Sequence, residues 1–93
     1  MSLEFEWDAK KAESNRVDHG IDFEEALTVF RDPLARIFED EEHSEGEPRE
    51  VMIGHSVRQR LILLCFTVRG TRIPIISAPK ATRLERKGEN ALP

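Results

Sequence analysis

Lys80, Arg83 and Arg86 cluster near the end of the sequence, and a guanidinium can grip two phosphate oxygens at once. In a helix, Arg83 and Arg86 share one face through i, i+3 spacing, and a helix start adds backbone donors suited to phosphate. Glu47 and Arg49 lie two residues apart, which puts both on one side of an extended segment. There Arg49 would stabilise a phosphate while Glu47 orients it or acts as base. His55, after Gly54, adds an imidazole, the side chain suited to moving protons near neutral pH. Lys11, Asn15 and His19 are spaced by four and form one stripe along a helix. The chemistry these types allow is the holding of a phosphate and the transfer of protons around it.

Each assignment has a plainer alternative. The terminal cations read equally as a solvated helix, and Glu47 with Arg49 as a salt bridge at a strand start. A histidine at a strand end is more often structural. For Asn15 the preferred reading is structural, satisfying backbone groups where helix meets sheet. Trp7 is able in principle to stack a base, yet its core-like spacing favours a packing anchor.

The net charge of −4 conceals a split. Residues 1–50 hold six Lys/Arg and sixteen Asp/Glu, a balance of −10, and residues 51–93 hold eight and two, a balance of +6. A segregated chain can be acidic on average and still present a basic face. The expectation is one positive surface drawn from the later half; the bland alternative is that the two halves neutralise each other.

Cys65 is the one cysteine, which excludes an internal disulfide and agrees with a reducing cytoplasm. It sits in the apolar run Leu61 to Phe66 and reads as a core thiol rather than a nucleophile. That run of six is far below the roughly 18 residues of a membrane span, and acidic residues near the start argue against an export signal. The expected location is cytoplasmic, away from membranes. The acidic stretch Glu39 to Glu47, with His43, fits no calcium-loop pattern and is weak as a zinc site. It reads as a solvated hairpin loop, and neither metal nor cofactor is expected.

The elements that must position these residues follow in order. Phe5 and Trp7 alternate with Glu4 and Glu6, as in a short strand. Asp8 can cap a helix over 9–18, with a thin apolar face of Ala9, Ala12 and Val17, closed by Gly20. Asp22 and Glu25 form a variant capping box for a second helix, whose stripe Phe23, Ala26, Leu27 and Phe30 faces the core. Asp32-Pro33 stops it. Four strands follow, over Leu34–Phe38, Val51–His55, Arg60–Val68 and Thr71–Ala78, with a turn at Arg69-Gly70. The third, apolar throughout, belongs at the sheet centre. Pro74 implies an edge position or a bulge in the fourth. Thr82 and Glu85 cap a short terminal helix that Gly88 ends. The chain thus reads as a single domain over 1–93 of the α+β class: a short N-terminal strand, two helices, a four-stranded antiparallel sheet and a C-terminal helix.

Several segments together resemble a known family. They are Phe5-Glu6-Trp7-Asp8 with Lys11, Asn15, His19-Gly20 and Phe23; Gly46-Glu47-Pro48-Arg49; Gly54-His55; and Ile75 to Thr82 followed by Glu85-Arg86. Spread over residues 4–87, they are similar to the BrnT family, the toxin half of a bacterial type II toxin–antitoxin pair. The resemblance implies a RelE-like fold and metal-independent cleavage of RNA. It implies a catalytic set drawn from Lys80, Arg83, Glu47, Arg49 and His55, with Arg86, Lys11 and His19 contacting RNA. It further implies a BrnA-like ribbon-helix-helix antitoxin that carries operator DNA binding, in a heterotetramer or beside a toxin homodimer. Pro74 and Pro79 stand where the family usually has arginine, and the chain has no tyrosine where one often follows Glu-Arg. These departures keep a second function open: a non-cleaving relative that binds the antitoxin and modulates transcription.

Overall fold

A computed structural model of the chain describes residues 3–39 and 48–81. Strand β1 (Glu4–Glu6) leads into helix α1 (Ala9–His19). Both local signals hold. The Asp8 carboxylate accepts the Lys10 N–H at 2.7 Å, and Gly20 adopts the left-handed conformation (φ 69°), donating its N–H to the Arg16 carbonyl. The expected apolar face does not hold. Ala9 and Val17 are exposed, Ala12 is half-buried, and the buried residue of α1 is Asn15. Its Nδ2 donates to the carbonyls of Ile21 and Ala78, each at 3.0 Å, and its Oδ1 accepts the Ala78 N–H at 2.9 Å. One side chain thus clamps the end of α1 to a segment 63 residues away.

Helix α2 (Phe23–Leu27) passes into a 3₁₀ turn (Thr28–Arg31), and Asp32 leaves in extended geometry before Pro33. Phe23 and Ala26 are buried, with Leu27 and Phe30 half-buried against the same core, as the stripe requires. The capping box is absent: the Asp22 side chain makes no cap bond. Glu25 turns away from the helix start and is buried against the sheet. It accepts from Ser56 Oγ at 2.7 Å and Arg60 Nε at 2.8 Å, and pairs with a second guanidinium nitrogen of Arg60. A charge-assisted bidentate pair outweighs one return bond to a backbone N–H.

Strands β2 (Arg36–Glu39), β3 (Arg49–His55), β4 (Leu61–Thr67) and β5 (Arg72–Ser77) form the antiparallel succession expected, with β4 at the centre. The sheet is nevertheless five-stranded and mixed, in the order β1-β5-β4-β3-β2, because β1 joins it parallel to β5. Three alternating residues announce a strand but not its neighbour. Pro74 is therefore interior to the sheet and faces Glu6 of β1. The pairing of β4 with β5 slips beside it, Cys65 facing Ser77 and Phe66 facing Ile75, so Ile76 is extra.

The helices cover one face of the sheet. There Ile62, Leu64 and Phe66 pack with Ile21, Phe23, Val29, Met52, Ile73 and Ile75. Phe30 bridges Phe5 and Phe66 at centroid distances of 5.1 and 5.3 Å. On the opposite face Leu61 and Ile53 pack with Ala81. Gly54 lies where β3 crosses the 3₁₀ turn: a Cβ there would stand 2.8 Å from both Ala35 Cβ and Val29 Cγ1. The acidic segment 40–47 and the expected C-terminal helix after Thr82 lie outside the described residues. Among those described, no helix is long and apolar enough to cross a membrane.

Asn15→Ala removes the partners of two carbonyls and one N–H, and is expected to cost about 2–4 kcal/mol in urea unfolding. Asn15→Asp is expected to cost as much, because a carboxylate cannot donate; an unmoved midpoint in both contradicts the clamp. Arg60 and Ser56 hold the Glu25 carboxyl below its ordinary range. The unfolded chain therefore binds more protons in acid, and stability falls as pH drops through and below the ordinary carboxylate range. Glu25→Gln should cost about 3 kcal/mol at neutral pH and flatten that acid decline; a wild-type decline retained by the variant counts against the pair.

Candidate nucleic-acid interface

The end of β1 delivers Glu6 and Trp7, and Asp8 then caps α1, which carries Lys11 past the sheet within its first turn. Arg49 opens β3 directly opposite Thr67 of β4, and the Thr67 hydroxyl donates to the Pro48 carbonyl at 2.7 Å, fixing where Arg49 starts. The β4–β5 hairpin is closed by reciprocal backbone bonds between Arg69 and Arg72, of 2.8 and 2.9 Å, with Gly70 at φ 63°. These segments, with Pro74 and Ile76 of β5, enclose a cleft of about 490 Å³. That lies within the roughly 300–1,000 Å³ of ligand sites.

Three cations, Lys11, Arg49 and Arg69, line the cleft with two carboxylates, Glu6 and Asp8. Asp8 is committed to the Lys10 N–H, and Glu6 stands 3.9 Å from Arg72 Nε. Lys11 makes no ion pair among the described residues, while Arg49 and Arg69 also hold neighbours of their own. The arrangement can hold an anion between an ammonium and two guanidinium groups, with aromatic surface from Trp7 beside it.

A shallower groove of about 330 Å³ adjoins the cleft through Lys11 and Ile76, and His19, Ser14 and Ser77 line it. Of the residues singled out from sequence, Lys11 and Arg49 therefore meet in the cleft, and His19 stands in its extension. His55 and Lys80 lie apart. His55 ends β3, six residues and roughly 20 Å of strand from Arg49. Its N–H donates to Asp32 Oδ2 at 2.7 Å, its Nδ1 lies 3.7 Å from the same oxygen, and this N–H holds the Asp32 carboxyl below its usual range. Lys80 forms an antiparallel bridge with Ile62, near the His55 end, and the helix expected to start after it lies outside the described residues. Glu47, Arg83 and Arg86 lie outside the described residues.

Among the described residues, the cations of the later half do not gather on a single positive surface. Arg60 pairs with Glu25, Arg58 approaches it to 3.8 Å, and Arg72 stands near Glu6. The two halves neutralise each other in part, and the cleft draws on both, with Lys11 and Arg49 from the first and Arg69 from the second. Arg69 escaped the sequence reading, which saw a turn. Its signal was the pairing of strands, since a residue two beyond Thr67 must stand beside the start of β3.

Fold and site define a small α+β protein with a three-cation cleft over one end of a mixed sheet. Residues 7–85 match the family model of the ribonuclease toxin BrnT of type II toxin–antitoxin systems. The chain belongs to the BrnT family, whose toxins pair with an antitoxin. It is similar in fold to the Brucella abortus ribonuclease toxin BrnT, known from a 1.1 Å crystal structure. The TM-score is 0.67 at 22% identity, covering 88% of this chain and all of the other. No curated protein sequence matches significantly.

If the cleft binds a single-stranded polyanion, log K falls with log salt by about 0.7 per phosphate contact. Lys11→Ala and Arg69→Ala are each expected to reduce that slope by about 0.7 for poly-uridylate, with the thermal midpoint unchanged in Lys11→Ala. Unaltered slopes in both variants exclude the cleft as the binding site.

Proposed function

We propose that this protein is a toxin ribonuclease whose scissile phosphate lies in the cleft of Lys11, Arg49 and Arg69, and that it cuts without a metal. The carrying observation is the convergence of three cations from α1, β3 and the β4–β5 hairpin on one cleft. In such a cleavage a base takes the proton of the 2′-hydroxyl, O2′ attacks phosphorus, and the P–O5′ bond breaks as an acid protonates the leaving oxygen. The cations stabilise the extra charge on the phosphorane, a role that otherwise falls to a metal ion. Arg49, Lys11 and Arg69 take that role in this reading. Glu47, two residues before Arg49 in sequence, is the proposed base, and His19 of the adjoining groove the proposed acid. Arg83 and Arg86 contact flanking phosphates; His55, tied to Asp32, and Lys80, bridged to Ile62 at that end, are left structural parts.

The partner in this reading is a BrnA-like ribbon-helix-helix antitoxin, which also carries operator DNA binding, in a cytoplasmic heterotetramer. One observation favours the non-cleaving alternative. Pro74, standing where the resemblance expects arginine, lines this same cleft, and loss of one charge-stabilising donor typically costs about 10²–10³ in rate.

Induced expression separates the two. Growth arrest with RNA decay, relieved by co-expressing the antitoxin, is expected of the nuclease, with Arg49→Ala reducing cleavage by at least about 10². Purified protein should cut RNA equally in EDTA. Tight antitoxin binding without arrest or cleavage selects the alternative, and loss of cleavage in EDTA refutes metal independence.

A further inference from the structure

Trp7 was the aromatic residue that sequence alone assigned to packing. In the fold it does two things. Its ring meets Phe23 edge-on, with centroids 5.7 Å apart and planes at 85°, and Phe23 is fully buried in the main core. Trp7 itself is half-buried and forms part of the cleft wall beside Lys11, Arg49 and Arg69. An indole braced from behind by the core loses little conformational freedom when it contacts a ligand. The other non-polar surfaces of the cleft are Pro74, Ile75 and Ile76, so aromatic stacking there falls to Trp7 alone among the described residues.

An aromatic face set among cations is the pattern that holds single-stranded nucleic acid, the ring taking a base and the cations its backbone. A duplex keeps its bases stacked on each other and presents no free face. We infer that the cleft takes one unpaired nucleotide, its base stacked on Trp7 and its phosphate held by Lys11, Arg49 and Arg69. This rests on the ribonuclease reading and adds the substrate class: single-stranded RNA, selected by the need to lay one base against the indole. Sequence preference is weak in this arrangement, because every base has a π-face.

The chain contains one tryptophan, so its fluorescence reports on this position alone. The probe is a short 2′-O-methyl oligoribonucleotide, which lacks the attacking hydroxyl, with a fluorescent end label to follow binding by anisotropy. On the whole protein, saturation with the single strand is expected to quench Trp7 emission, and the same sequence as a duplex to bind at least about tenfold more weakly. Trp7→Phe keeps a ring and should bind within about threefold of wild type, whereas Trp7→Leu keeps bulk against Phe23 without stacking and should lose about tenfold or more. Binding that leaves Trp7 emission unchanged, or a Trp7→Leu affinity equal to wild type, overturns the stacking proposal. The ribonuclease reading survives that result if Lys11→Ala and Arg49→Ala still weaken binding. No binding of the single strand by folded protein overturns both.

Discussion

The architecture depends on one amide. Helix α1 offers the sheet almost no apolar surface, with Val17 71% exposed and Ala12 half-buried, so burial cannot dock it. Asn15 does so by using both its N–H donors and its carbonyl oxygen against Ile21 and Ala78. A buried amide with both donors and its acceptor used is directional in a way that aliphatic contact is not. Residues four before and four after Asn15 share its side of the helix. Lys11 and His19 are those residues, and the clamp therefore sets both beside Ile76, Lys11 in the cleft and His19 in the groove it opens into. Placement of chemistry is a consequence of a structural bond.

Charge is organised by a second polar contact across the halves. Glu25 draws in Arg60 and Arg58 at one end of the sheet, while Asp32 takes the N–H of His55 nearby. Both carboxyls sit below their ordinary range for that reason. Those cations are held at one end of the sheet, while Lys11, Arg49 and Arg69 line the cleft at the other. A net charge of −4 thus coexists with a place for a polyanion, since attraction at contact distance depends on local geometry and not on the total.

Local signals were legible and long-range ones were not. Asp8 and Gly20 marked the limits of α1, and Asp32-Pro33 the end of the 3₁₀ turn, because each acts on its own backbone. The apolar run of β4 announced the central strand. Glu25 was misread because the spacing of a capping box is met by any carboxylate three residues on, and the competing guanidinium lies 35 residues away. The partner of β1, the bridge made by Lys80 and the approach of Arg69 to Arg49 all depend on sheet order, which alternation does not encode. Family resemblance named Lys11 and Arg49 for the site. It carried Trp7 in a matching segment without giving it a place in the site, and it did not include Arg69; the fold places both beside them.

The central claim is that RNA meets this protein at the cleft between α1 and the Arg49 end of the sheet. Amide chemical-shift mapping with an uncleavable single-stranded oligoribonucleotide tests it most directly. The account requires the largest shifts at Trp7, Lys11, Thr67, Arg69 and Ile76, with His55, Val57 and Gln59 unmoved. Shifts centred on Asp32 and His55, or spread without focus over the surface, would contradict it.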